Sequence, residues 1–365
     1  VAYRLGPFGF MAHPELSAES GKGSGAYGIL DMVAGLEWVK ENIAKFGGDP
    51  SNVTIFGHSA GGAAVSLLAA TPLTKGLFHR AICMSGGSFG RLQTSNQAGI
   101  GLGMPSLKLA ESNGEDFFKK LGAEDLKAAR ALSAEDIQNG LEPGMRFRPA
   151  ADGHVISRDL YSLHQEGNFN YTPILLGHTS DEMGSFGRTE NVTPAEFEKQ
   201  IKSQYGSSAD IILGTYPHSN DSEATRSSKD IRNDGSFSWN TWTWSRLQSR
   251  KGIARAFQYY FDYHPDSPDG GSGHGSDVPH AFQTLMGEPT EEDLNLSDII
   301  SSYWVNFARA GDPNGPGLPE WPAISEDEPG VMVFDEAPSA RPLPILNRLK
   351  VIDTYYSGLR EEAKL

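Results

Sequence analysis

The chain is poor in cysteine: Cys83 is the only one among 365 residues, so no disulfide forms within it. It sits in the apolar run Ala81-Ile82-Cys83-Met84, which reads as a buried strand, so the thiol is expected to be a core group rather than a reactive one. No apolar run approaches the length of a membrane-spanning helix. Positive charge is scarce as well, with 31 Lys and Arg against 46 Asp and Glu and a net charge of −15, and such a surface repels phosphates, which argues against nucleic-acid binding. The metal-ligand spacing H-x-x-x-H within H-E-x-x-H does not occur, and no cofactor or metal is expected. The first residues, Val1-Ala2-Tyr3-Arg4, do not read as a signal peptide, and the compartment stays open.

What is present is a globular composition, 38% hydrophobic, with 42 Gly and 22 Pro for loops. Residues 1 to 10 read as the end of a strand entering a Gly6-Pro7 turn. Apolar residues at helical spacing (Ile29, Val33, Leu36, Val39, Ile43) predict a helix over 29–46, stopped by Gly47-Gly48-Asp49-Pro50. Val53-Thr54-Ile55-Phe56 is a short strand, and Ala60 to Ala70 a helix. Further strands are expected at 80–85, 172–177 and 256–262, with helical patterns at 115–132 and 194–205. Two stretches rich in Ser, Asp, Asn and Gly, 207–235 and 265–276, read as loops. Strands alternating with helices predict an α/β fold, a mostly parallel sheet covered on both faces, within a single domain spanning 1–365.

Between the Val53–Phe56 strand and the following helix stands Gly57-His58-Ser59-Ala60-Gly61, a G-x-S-x-G nucleophile elbow. A serine on a sharp strand-to-helix turn is pushed out of the sheet, and side chains two residues either side are expected to clash, so glycines occupy those places. The helix aims its first amides, that of Ala60 among them, at a developing oxyanion. A serine hydroxyl needs a base, usually histidine, oriented by an acid. With 10 histidines the chemistry alone leaves the base open, although the order Ser, acid, His places both partners after Ser59.

The residues around the elbow carry more information. Tyr3 to Phe10, Tyr27 to Asp31, Leu36 to Ile43, and Phe46 through Gly62 closely resemble the type-B carboxylesterases, the cholinesterase-like group that also holds para-nitrobenzyl esterases and some lipases. Leu77 to Ile82, Ser85-Gly86, Phe147-Arg148-Pro149, Asp152-Gly153, Trp304 to Arg309, Gly311 to Asn314 and Trp321-Pro322 continue the likeness in the same order. The resemblance implies the α/β-hydrolase fold and ester hydrolysis through an acyl-enzyme on a small-molecule ester. It implies His274, in Gly273-His274-Gly275-Ser276-Asp277, as the base, with His264 and His280 as nearby rivals. For the acid it implies Glu182, which follows the apolar run Ile174-Leu175-Leu176-Gly177; Asp181 would be a structural loop partner, and the residues alone leave the two nearly even.

The same resemblance implies that the remaining oxyanion donors, on a Gly-Gly loop, and several N-terminal strands lie upstream of Val1. Loss of one oxyanion donor typically lowers turnover about a hundredfold to a thousandfold, so these residues alone are expected to be nearly inactive and poorly stable. His58 stands where the family more often has Glu. It is expected either to pack beneath the elbow or to weaken the field that favours cationic substrates, which argues against selectivity for quaternary ammonium. Arg4 and Asp31 are expected to form a buried ion pair, and Ser85 to lend hydrogen-bonding support near the elbow. Sequons occur at Asn52, Asn170, Asn191, Asn220 and Asn295. Two other readings are a lipase with a long acyl tunnel and a neuroligin-like adhesion homologue without catalysis; an intact Ser59, Glu182 and His274 argue against the second.

Overall fold

In the computed structural model, residues 1–96, 103–187, 191–265, 270–325 and 330–362 are described. Six strands run side by side in chain order: β1 Thr54–His58, β2 Arg80–Met84, β3 Ile174–Thr179, β4 Ala256–Phe261, β5 Gly330–Phe334 and β6 Ser339–Pro342. The first five are parallel, and β6 returns antiparallel on β5. Both faces of β2 to β5 are buried, and this is why those strands read as apolar runs rather than as alternating patterns.

The strand period of two divides each run between two cores. Ala81, Cys83, Ile174, Leu176, Tyr260, Val331 and Val333 face one core. It is covered by α1 Tyr27–Asn42, α2 Ala60–Ala70, α3 Leu160–Glu166, α4 Trp239–Lys251 and α5 Leu346–Glu362. Ile82, Met84, Leu175, Phe257, Tyr259, Phe261, Met332 and Phe334 face the other. There the helix Glu291–Ala310 supplies Ile300, Tyr303, Trp304 and Phe307. Trp321 is wholly buried in this second core and its indole N–H donates to the Gln258 carbonyl at 3.1 Å.

The predicted helices at 60–70 and 194–205 form over those residues, and that at 29–46 forms as α1 followed by a 3-10 turn over Ile43–Phe46. The 115–132 pattern is two helices, Leu107–Leu121 and Leu126–Ala131, separated at Gly122, whose φ of 69° ends the first.

Other expectations are corrected. Residues 1 to 5 form no strand, and Gly6–Phe10 is a short helix with Pro7 in its first turn; Gly9 is pressed so closely on the Arg4 carbonyl that a Cβ would lie 2.0 Å from its oxygen. The Arg4–Asp31 pair forms, with Nη2 to Oδ1 at 2.6 Å and the Arg4 amide donating to Oδ2 at 2.9 Å, but it is not buried: the Arg4 side chain is 53% exposed. The 207–235 stretch is largely helical. Asn220 caps Asp221–Asn233 by accepting from the Glu223 amide at 3.0 Å, and that helix buries Ala224 and Ile231 before passing into a π-helical turn, Asp234–Ser238. Polar composition hid a helix that needs only one buried stripe. Of the second predicted loop, 270–276 is irregular and 266–269 lies outside the described residues. Asn170, one of the sequons, is an internal strut: its amide donates to Thr74 Oγ1 at 2.9 Å and to the Thr71 carbonyl at 3.1 Å.

His164, fully buried in α3, stacks on Phe169 at 4.2 Å and shares a hydrogen bond between Nδ1 and the Leu160 carbonyl at 2.9 Å. Burial draws its pKa down to about 4. Between pH 6.5 and 4 the unfolded chain therefore takes up a proton that the folded chain refuses, so this group's contribution is whole above pH 6.5 and falls as the solution is acidified. The stability difference between the native chain and a His164→Phe variant should shrink by about 2 kcal/mol between pH 6.5 and pH 5, read by urea denaturation. A pH-independent difference would refute this.

Candidate active site

Ser59 stands between β1 and α2 at φ 58° and ψ −119°, a conformation L residues rarely adopt. Two backbone bonds hold it: its amide donates to the Met84 carbonyl on β2, and its own carbonyl accepts from the Ala63 amide, each at 2.9 Å. The packing reason for the motif's first glycine is plain, since a Cβ on Gly57 would lie 2.3 Å from the Gly61 backbone. The expected reason for the second does not hold: a Cβ on Gly61 would meet nothing within 4 Å. The tight place lies one residue on. A Cβ on Gly62 would sit 3.0 Å from Gly86 Cα, and one on Gly86 would be 2.6 Å from Gly62. These two glycines bring α2 down onto the end of β2, so the helix begins directly at the serine. Ala60 is the first residue of that helix, where amides have no acceptor within the helix.

Glu182 opens a short 3-10 turn, Glu182–Ser185, just beyond β3, and is fully buried. Its Oε1 accepts from the Thr179 amide at 2.8 Å, and its Oε2 pairs with His274 Nδ1. In a neutral imidazole, a proton on Nδ1 donated to this carboxylate would leave Nε2 as the acceptor. That Nε2 is buried and has no hydrogen-bond partner, the bond to Ser59 Oγ included. Three rings enclose the imidazole: Phe237 at 4.9 Å, Phe186 at 5.0 Å and His58 at 4.4 Å between centroids. Phe186 and Phe237 also line, with Ser59 and Ala60, a cavity of about 560 Å³ whose wall is otherwise mostly apolar.

The neighbours of the candidate residues fall elsewhere. Asp181 Oδ2 binds Lys229 Nζ at 2.7 Å, and its Oδ1 accepts from the Gly184 amide at 3.2 Å, so it braces the turn that presents Glu182. His264 pairs with Asp262 at 3.3 Å, and His280 packs on Phe261 and Tyr263. Ser85 departs from its expected role. It is fully buried at φ 50° and its amide donates to the Gly177 carbonyl at 2.8 Å, but its hydroxyl has no partner. Cys83 is a core thiol whose pKa burial pushes up to about 12.

Several contributors to the site were not legible in the sequence. Phe186 and Phe237 come from separate turns, the second of them the π-helical one, and no spacing announced their meeting. Asp277, three residues beyond His274, is fully buried with Oδ2 accepting from the Tyr259 hydroxyl. Burial, and after it the charge of Glu182, push its carboxyl up to about 7. The His58 ring lies beside that of His274, tilted 40° to it; burial and the neighbouring imidazole draw its pKa down. Among the described residues no group of three or more His, Cys, Asp or Glu could hold a metal ion, and no helix is long and apolar enough to cross a membrane.

The chain is similar to known proteins along most of its length. The profile of the carboxylesterase family matches residues 1–350. The para-nitrobenzyl esterase of Bacillus subtilis is 33% identical over 346 residues, covering 91% of this chain and 68% of that protein. The fumonisin B1 esterase of Sphingopyxis macrogoltabida is 31% identical over 355 residues, covering 91% of this chain and 62% of that protein. A solved para-nitrobenzyl esterase structure superposes with a TM-score of 0.79 at 31% identity, over 96% of this chain and 73% of the other. The fold is therefore that of the α/β-hydrolases, and the chain belongs to the carboxylesterase family.

Proposed function

We propose that the carboxylic-ester hydrolysis expected of this family runs in this chain through an acyl-enzyme on Ser59, with His274 as base and Glu182 as the orienting acid. The observation that carries the reading is the buried Glu182–His274 pair, whose unpartnered Nε2 is bordered by the same two phenylalanines that line the cavity of Ser59. The bond from Ser59 Oγ to Nε2 is expected to form with substrate in place, as such bonds often tighten only then. Ser59 Oγ then attacks the carbonyl as its proton passes to His274 Nε2. Glu182, buried against the imidazole, stabilises the imidazolium that forms. The tetrahedral oxyanion lies at the start of α2, within reach of the Ala60 amide. His274 returns the proton to the leaving alcohol, and water repeats the sequence on the acyl group. The cavity suits small to medium esters, with Met104, Met145 and the two phenylalanines as apolar wall. One sheet with two continuous cores supports reading the chain as a single domain.

Ser59→Ala should lower hydrolysis of a nitrophenyl ester by roughly a millionfold in kcat and abolish labelling by a fluorophosphonate; Glu182→Gln should lower kcat roughly ten-thousandfold. Label recovered on a serine other than Ser59 would overturn the assignment. His58→Glu places a carboxylate beside the imidazole and stabilises its protonated form. The acid limb of kcat/KM should then move to higher pH, by on the order of one unit, because an opposite charge at this range favours the cation. An unmoved limb in a folded variant would show that residue 58 does not act on the base.

A further inference from the structure

Charge around the cavity is opposite in sign to charge over the whole chain. Although acids outnumber bases 46 to 31, the charged residues lining the cavity of Ser59, among those described, are two arginines, Arg146 and Arg148. No Asp or Glu lines it, and Glu182 is sealed behind His274. The two arginines are two residues apart on the irregular segment 145–150, the spacing that turns side chains of an extended chain to one side. Between them Phe147 packs edge-on against the buried Phe117 at 5.1 Å, which anchors the segment.

Neither guanidinium has an acidic partner among the described residues. Arg148 donates through Nη2 to the neutral Gln93 Oε1 at 3.0 Å, and Arg146 makes no hydrogen bond or ion pair with any described residue. Partial burial, and after it the charge of Arg146, draw the Arg148 guanidinium below its ordinary pKa. Some other arginines of this chain do have carboxylate partners, among them Arg130 with Glu19, Arg255 with Asp312 and Arg348 with Asp230, while Arg80 binds the neutral Asn52. Both arginines are exposed to solvent and border a mostly apolar cavity, so an incoming carboxylate can reach them, and a guanidinium fork matches a carboxylate in geometry. His58 adds no negative charge at the elbow to oppose it.

We propose that the cavity selects esters carrying a free carboxylate away from the scissile bond, held by Arg146 and Arg148 while Ser59 attacks. This rests on the esterase reading above and specifies its substrate class.

The test compares monoethyl adipate with ethyl hexanoate, which have the same acyl chain length and differ in a terminal carboxylate, by release of ethanol at neutral pH. The kcat/KM ratio of the anionic to the neutral ester should exceed one and fall as salt is raised. In Arg146→Gln and Arg148→Gln that ratio should drop, each by roughly ten- to a hundredfold, mainly through KM of the anionic ester, as expected for loss of a charged hydrogen bond. Arg146→Lys should recover part of it. Because the ratio is taken within one variant, a loss of folded protein lowers both rates and leaves it unmoved. A ratio equal in the native chain and in both Gln variants would overturn the proposal. If neither ester is hydrolysed by the full-length protein, the esterase reading fails instead. Calorimetric titration of adipate into the native chain and Arg146→Gln then decides the arginine claim, with binding lost in the variant supporting it and equal or absent binding refuting it.

Discussion

The site depends on one close approach of backbone to backbone. α2 can start directly at Ser59 only because Gly57 lies against Gly61 and Gly62 lies against Gly86, at separations no Cβ would tolerate. At that junction the serine takes φ 58°, between the end of β1 and the first turn of α2. The cost is backbone strain of order 1–3 kcal/mol at Ser59, which the Met84 and Ala63 hydrogen bonds and the buried packing of α2 on β1 and β2 offset.

The rest of the catalytic apparatus hangs from the same edge of the sheet. Parallel strands place their carboxyl ends together, so the segments following β1, β3 and β4 all emerge on one side: the elbow, the Glu182 turn and the His274 loop. The bridge between Asp181 and Gly273 ties the second and third of these to each other. Burial then differentiates the groups. Glu182 is wholly enclosed and paired, Asp277 is enclosed and driven toward its neutral form, and His58 is held near the imidazole with its own basicity reduced. Arg146 and Arg148, lining the same cavity, are positive in a chain that is acidic as a whole.

Much of this was legible in the sequence where the signal is local. The strand-turn-helix around Ser59 lies in one continuous stretch, and the helices at 60–70 and 194–205 carried their own periodicity and caps. The β5–β6 hairpin is not legible in the sequence, since its strands are only 5 and 4 residues long. The polar 207–235 stretch misled, because composition reports average hydrophobicity while a helix such as Asp221–Asn233 needs only a narrow buried face. The glycine argument was right at Gly57 and wrong at Gly61. Which glycine faces backbone depends on how α2 meets β2, and that contact is not local.

The sequence by itself determined the elements, the alternation that buries both faces of the sheet, and the strained turn at Ser59, since each follows from the order of neighbouring residues. Only the tertiary structure decided that Glu182 would reach His274, 92 positions further along the chain, that His58 would lie alongside that ring, and that two arginines, with no carboxylate among the described residues, would line the cavity. The physical reason is range: backbone sterics and side-chain periodicity act over a few residues, whereas desolvation and charge pairing depend on groups that the packed sheet alone brings within a few ångströms.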